Sequence, residues 1–284
     1  MKDYILISTA YNDEVRIYTA VTTNLVEEAR NIHQTKKTAT AALGRLLTAG
    51  AIMSLMTDEV RLSLKIESDG PLSPVSVVAE GGLVKGYVGN PNVYFSYNKD
   101  KIDVKSGIGN GFLNVTRDIN NNFYTSSSEI ISGEIALDLA YYFTNSEQIP
   151  SSVGLGVLTE DKKVINAGGF IVQLMPFASE ETISTLEKII NNLKPITSLL
   201  SEGYTPEKIL SLLANQTEKR LDKIETKYYC DCSKDKFRDG LLKLDKQILE
   251  EILLEDKKAE IICDYCQKKY IFNEDDLKDI INLK

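Results

Sequence analysis

Cys230-Asp-Cys232 and Cys263-Asp-Tyr-Cys266, separated by residues 233–262, hold all four thiols of the 284-residue chain. Cysteines kept in two close pairs near one end work together. C-x-C and C-x-x-C each let one short turn aim two sulfurs at a common point. Four thiolates close a tetrahedral zinc site with no help from histidine or water. The same sulfurs are placed for two local disulfides. Cys263 and Cys266 are well spaced for one; Cys230 and Cys232 would close a tighter ring. Closing the intervening loop costs only a few kcal/mol of chain entropy. Structural zinc in small peptides contributes about 10–16 kcal/mol. Metal occupancy can therefore decide whether residues 228–284 fold at all.

Between the pairs, Ser233 is positioned to cap a helix that packs through Phe237, Leu241, Leu242 and Leu244. Asp245 starts a second, carrying Ile248, Leu249, Ile252 and Leu253. Upstream, residues 216–227 (QTEKRLDKIETK) offer only Leu221 and Ile224 for burial, and read as a solvated helix face with too little apolar surface to fold alone. Before them Ser179-Glu-Glu-Thr opens a helix with Ile183, Leu186, Ile190 and Leu193 on one face. Thr205-Pro206-Glu207 opens another, with proline in the first turn. Residues 178–227 thus read as a helical linker.

Residues 1–177 read as an α+β domain. Alternation predicts a hairpin of strands 4–10 and 14–21, then a helix capped at Thr22 or Thr23 that runs to about Gln34. A second helix over 37–56 is rich in alanine and leucine on several sides, the pattern of a buried helix. Short β-type runs from 59 to about 126, punctuated by Asp69-Gly-Pro71, Gly81-Gly82 and Asn90-Pro91, predict a mostly antiparallel sheet. A helix over 132–144 capped by Ser132 and a strand Phe170–Met175 complete it. The expected architecture is an N-terminal sheet domain with packed helices, a helical linker and a small zinc-binding C-terminal domain.

Formal charge −8 and a pI near 5.0 argue against a general nucleic-acid binder. Residues 230–284 carry 14 acidic against 11 basic side chains, a poor surface for phosphate. That weakens the alternative of a zinc-knuckle adaptor or nucleic-acid module. No apolar run resembles a signal peptide or a membrane span, so a reducing cytosol and free thiols are expected. A single histidine, His33, and the lack of G-x-S-x-G leave no catalytic constellation, and no enzyme is expected. A thiol oxidoreductase at Cys263-x-x-Cys266 lacks the strand–CxxC–helix setting. Gly107-Ile-Gly-Asn-Gly111 precedes a β-type run and reads as a turn or bulge and not a phosphate loop. His33 reads as a packed or capping group, and Glu134 with Asp138 as a solvated helix face.

The C-x-C-S opening at Cys230–Ser233, the downstream C-x-x-C and the helical interval resemble the redox-switch domain of the heat shock protein 33 family. Thr38-Ala-Thr-Ala-Ala-Leu-Gly-Arg45, Gly86-Tyr-Val with Asn90-Pro91, Ser146-Glu-Gln-Ile-Pro150 and Ala167-Gly-Gly-Phe-Ile-Val-Gln-Leu-Met-Pro176 resemble blocks of its N-terminal domain, in the family's order. Two departures, Asn31-Ile32-His33 in place of an Arg-His pair and more acidic interval helices, leave the switch untouched. The resemblance implies a cytoplasmic, redox-regulated, ATP-independent holdase. In the reduced state one Zn2+ sits on Cys230, Cys232, Cys263 and Cys266, and the protein is inactive. Oxidation makes Cys230–Cys232 and Cys263–Cys266 disulfides and releases the zinc. The metastable linker then unfolds, and a homodimer binds unfolding client proteins. The implied boundaries are 1–177, 178–227 and 228–284.

Overall fold

The helix Lys37–Met53 organises the larger part of the chain. Every one of its residues except Lys37 and Arg45 is buried. Its alanines and glycines let neighbouring elements approach closely. A Cβ on Gly44 would stand 2.6 Å from a methyl of Val26 and 2.9 Å from one of Val157, so only glycine fits there. Strands of two sheets pack against this helix, and Leu43, Leu46, Leu47 and Ile52 fill the core around it.

The computed structural model describes residues 2–57, 61–98, 101–160 and 162–284, and the chain divides into two units, Met1–Tyr229 and Cys230–Lys284. In the first unit, a five-stranded sheet runs in the order Ser151–Glu160, Lys163–Leu174, Val15–Val21, Tyr4–Ala10, Lys219–Glu225. All of its pairings are antiparallel. A six-stranded sheet runs Lys227–Tyr228, Leu83–Val88, Val75–Glu80, Arg61–Ser68, Gly111–Ile119, Asn122–Glu129. The expected sheet region beginning at 59 is described from Arg61 onward; residues 58–60 lie outside the described residues.

Alternation along the five-stranded sheet supplies two cores, because successive side chains point to opposite faces. Ile5, Tyr18, Ala20 and Ile171 face the central helix. Leu6, Ile17, Phe170 and Val172 face a second cluster closed by Leu186, Ile196, Leu199, Ile209, Leu210 and Leu213. Those closing residues belong to helices Glu180–Asn191, Ile196–Ser201 and Pro206–Leu213. Ser179 caps the first by accepting a hydrogen bond from the Thr182 amide, as its sequence predicts.

Four expectations are corrected. Residues 216–227 are not a helix face: Lys219–Glu225 is an edge strand on Tyr4–Ala10. The alternation that marks a strand is obscured there because nearly every residue is exposed, so no apolar face is required. Next, Ser132 is not the cap of the helix expected over 132–144, which runs Ala136–Asn145. Asp138 is not solvated. Its buried carboxylate accepts from the amides of Ile131, Ser132 and Ile135 at 2.9, 2.7 and 2.9 Å, folding the preceding loop over the helix start. Glu134 pairs with Arg45 at 2.6 Å. Lastly, the strand expected at Phe170–Met175 begins at Lys163 and pairs with a strand, Ser151–Glu160, that the sequence did not announce. Glycines face each other there, Gly156 opposite Gly168, and they mute the alternating pattern.

The second unit holds helices Lys234–Leu241 and Lys246–Glu255, the hairpin Ala259–Ile262 with Lys269–Phe272, and the helix Glu274–Asn282. Ser233 caps the first helix through the Lys236 amide at 3.2 Å. Leu241, Leu249, Tyr270, Phe272, Leu277, Ile280 and Ile281 form its small core.

Candidate metal centre

Two short turns build the site in the second unit. Cys230 and Cys232 lie in the extended segment before the Ser233 cap. Cys263 and Cys266 lie at the tip of the hairpin, between Ile262 and Lys269. That tip is held by the Cys263 amide bonding the Lys268 carbonyl at 3.0 Å, and the Gln267 amide bonding the Cys263 carbonyl at 2.8 Å. Gln267 takes φ +59°, which turns the chain back into the second strand.

All four Sγ atoms lie within 4.8 Å of one another. Two contacts run across the turns, Cys230 to Cys263 at 3.7 Å and Cys232 to Cys266 at 3.3 Å. These are non-bonded separations, since a disulfide is about 2.05 Å long. A tetrahedral zinc with bonds of about 2.3 Å sets its sulfurs about 3.8 Å apart. The observed spacing fits that geometry, and the all-sulfur donor set suits zinc. Among the described residues no other group of three or more His, Cys, Asp or Glu side chains converges in this way.

The electrostatics ask for a cation. Burial pushes the Cys230 thiol well up, with hydrogen bonds from neighbouring thiols adding to the rise, and burial raises Cys266 as well. At Cys232 burial also opposes ionisation, but the hydrogen bond from the Tyr270 hydroxyl and those from the other thiols outweigh it and bring the thiol from 9.0 to about 7. Cys263 is the most buried of the four. Four sulfurs this close cannot all ionise without a positive charge among them.

Tyr270 was not singled out from the sequence. It lies four residues beyond Cys266 on the inward face of the second hairpin strand, and only that strand register could have revealed it. Its hydroxyl lies 3.2 Å from Cys232 Sγ and donates to the Cys232 carbonyl at 3.0 Å.

The remaining sequence candidates fall elsewhere, in the first unit. His33 Nε2 lies 2.9 Å from the Gly86 carbonyl and 3.4 Å from the Tyr228 hydroxyl, a packed position. Gly107 and Ile108 end a four-residue helix, Lys105–Ile108, and residues 109–110 bend directly into the strand from Gly111, so no helix follows the glycines as a phosphate loop would require.

Comparison with known proteins decides the family. The family model described as Hsp33 protein matches residues 3–273. The chain belongs to the Hsp33 family. This Hsp33-family chain is 50% identical to the 33 kDa chaperonin of Acholeplasma laidlawii, with 100% of both chains covered. It is 46% identical to the 33 kDa chaperonin of Clostridioides difficile over 99% of each. The crystal structure of the 33 kDa chaperonin (heat shock protein 33 homolog) of Thermotoga maritima matches with a TM-score of 0.92 and 36% identity, covering 100% of this chain and 99% of that one. The mixed α+β fold with antiparallel sheets is the fold of that relative. Among the described residues no helix is long and apolar enough to cross a membrane.

Proposed function

We propose that this Hsp33-family chaperone is a redox-gated holdase that acts without ATP. The observation that carries the reading is the meeting of all four thiols at one point, in a unit whose own core is only a handful of side chains. Cys230, Cys232, Cys263 and Cys266 would hold one Zn2+ in the reduced protein. Bound there, the ion supplies the cross-link that a unit this small otherwise lacks.

Peroxide removes that possibility. A thiolate attacks the O–O bond, becoming a sulfenic acid while the other oxygen leaves as water. The neighbouring thiol then displaces the sulfenic oxygen as a second water, and a disulfide forms. Two peroxides convert four thiols into Cys230–Cys232 and Cys263–Cys266. The sulfurs lose their negative charge and their ability to hold the metal, and the small unit loses its cross-link.

The chain continues this change into residues 178–227. Tyr229, immediately before Cys230, bonds the Val84 carbonyl through its amide at 2.8 Å, and Lys227–Tyr228 adds two residues to the six-stranded sheet. This is a short attachment. The helices it follows cover Leu6, Ile17, Phe170 and Val172. In this reading they form the metastable linker between an N-terminal domain, 1–177, and the switch, 228–284. Their release exposes an apolar sheet face on which unfolding client proteins bind. We assign the active form as a homodimer and the location as the cytoplasm, with no nucleic-acid or membrane partner.

The test counts zinc and free thiols before and after peroxide with mild heat, and measures aggregation of an unfolding client on the same samples. The expected result is loss of about one zinc and four thiols together with suppression of aggregation. Oxidised, metal-free protein that left aggregation unchanged would end the proposal.

A further inference from the structure

We propose that Tyr270 is the positioning residue that holds Cys232 in the reduced, metal-competent arrangement and ties the thiol cluster to the core of the small unit. This rests on the zinc-switch reading of the four cysteines and adds to it the residue through which the state of the sulfur is felt.

Tyr270 occupies a joint. Its ring is buried and belongs to the small core, where it meets Phe237 with centroids 5.0 Å apart and planes at 45°. The Lys268 ammonium stands 5.5 Å from its centroid. Its hydroxyl reaches the other way, to Cys232, touching both the sulfur at 3.2 Å and the carbonyl at 3.0 Å. The two cysteine turns are 31 residues apart in sequence at their nearest members, Cys232 and Cys263. Tyr270 sits on the strand that leaves the second turn and grips the first. It is thus a cross-link between the turns that needs no metal.

The two contacts answer to the chemistry of sulfur. With Cys232 as a thiol, S–H donates to the phenol oxygen while the phenol O–H donates to the carbonyl, so every donor is used. With Cys232 as a thiolate, the phenol O–H faces two acceptors and the charged sulfur is the stronger one. In a disulfide the same sulfur has no proton to give and no charge to receive. Only the carbonyl contact is left. The hydroxyl therefore stabilises both reduced forms over the oxidised one, and a group that binds one state of an equilibrium shifts it toward that state. Residues that orient metal ligands from behind typically account for roughly 10–100-fold in metal affinity when removed.

Tyr270→Phe keeps the ring in the core and deletes the hydroxyl. In the full-length, reduced, zinc-loaded protein, we expect this variant to give up zinc at about ten-fold lower chelator concentration than the parent. Its thiols should disappear faster under peroxide. Phe237→Leu is the control: it loosens the same ring packing without touching the hydroxyl, so it should lower the melting temperature of the small unit and, because zinc binding and folding are linked, lower the chelator midpoint by clearly less than Tyr270→Phe does. Tyr270→3-fluorotyrosine retains ring and hydroxyl with a more acidic O–H, and should move the midpoint the opposite way, toward tighter retention. Matching chelator midpoints for the parent and Tyr270→Phe would overturn the proposal. So would an equal loss in Phe237→Leu, which would reduce the role of Tyr270 to packing. Failure of the parent to release zinc under peroxide is a separate outcome that strikes the redox reading and not the Tyr270 contact.

Discussion

In Met1–Tyr229 a whole helix is enclosed, and two apolar clusters lie on opposite faces of one sheet. In Cys230–Lys284 three helices and a hairpin share one small cluster, and Ile248, Leu254, Ile262 and Ile271 are left exposed. The contrast is one of scale. Apolar burial grows faster than chain length, so a large unit holds itself together while a small one needs help from outside its core. A core of the smaller size rarely supplies more than about 3–5 kcal/mol. The same chain thus combines a body whose two large clusters need no metal to close with an appendage whose small core leaves work for a cross-link at the four sulfurs.

Removing metal is the strongest way to break this comparison. A structural zinc worth about 10–16 kcal/mol exceeds what the small core supplies. A chelator added to the reduced protein should therefore abolish amide protection across 234–282 and leave it intact in the central helix, as read by hydrogen exchange with mass spectrometry. Surviving protection across 234–282 would mean that the small core suffices alone. Cavity formation in the large unit tests the converse. Leu47→Ala removes a fully buried side chain of the central helix and should cost about 2–5 kcal/mol. Its denaturant midpoint should fall while its zinc affinity stays at the parent value. A smaller effect is expected at the end of the covering segment. Thr226 is buried and its hydroxyl donates to the Gly82 carbonyl at 2.7 Å, a bond that valine of the same shape cannot make. Thr226→Val should cost about 1–3 kcal/mol by leaving that carbonyl unpaired. Faster proteolytic nicking between 214 and 229, without faster nicking of the central helix, would confine the effect to the attachment.

The sequence made the thiol cluster legible as a candidate metal site because thiols have few other reasons to gather, and the spacing alone singled out Cys230, Cys232, Cys263 and Cys266, which the structure brings together. The buried helix was legible through its alanines and leucines, and the Ser233 and Ser179 caps through local chemistry that needs no distant partner. What stayed hidden depends on long-range pairing. Lys219–Glu225 becomes a strand because Tyr4–Ala10 offers an open edge more than 200 residues away in sequence, and its own residues carry no apolar signal for it. Asp138 looked like a surface carboxylate because nothing local reveals that the preceding loop folds back over it. Tyr270 looked like one tyrosine among 14.

The smallest expected effect concerns how the covering helices grip the sheet. Glu207, in the first turn of Pro206–Leu213, accepts from the Tyr4 hydroxyl at 2.6 Å and from Lys223 at 3.2 Å. Burial opposes its ionisation, yet these hydrogen bonds and one from its own backbone outweigh it and bring the carboxyl from 4.5 to about 2. The folded form thus binds a proton less readily than the unfolded chain. Its contribution to stability is present above pH 4.5 and is lost as the pH falls toward 2. Asp3 has the opposite sign. Burial raises its carboxyl from 3.8 to about 6 against the hydrogen bonds from Leu25 and Asn24, so its contribution is present below 3.8 and is lost as the pH rises through 6. Both groups belong to the large unit, and the two limbs can be separated. In denaturant midpoints measured from pH 7 to pH 2.5, Glu207→Gln should flatten the limb below 4.5 and keep the slope between 4 and 6. Asp3→Asn should do the reverse. If Glu207→Gln left the acid limb unchanged, the helix Pro206–Leu213 would owe its place to the apolar contacts of Ile209, Leu210 and Leu213 and to the hydrogen bonds its Pro206 and Leu213 carbonyls accept from Thr19 and Tyr11. The release proposed for it on oxidation would then have to be driven through the chain and not through the charge of Glu207.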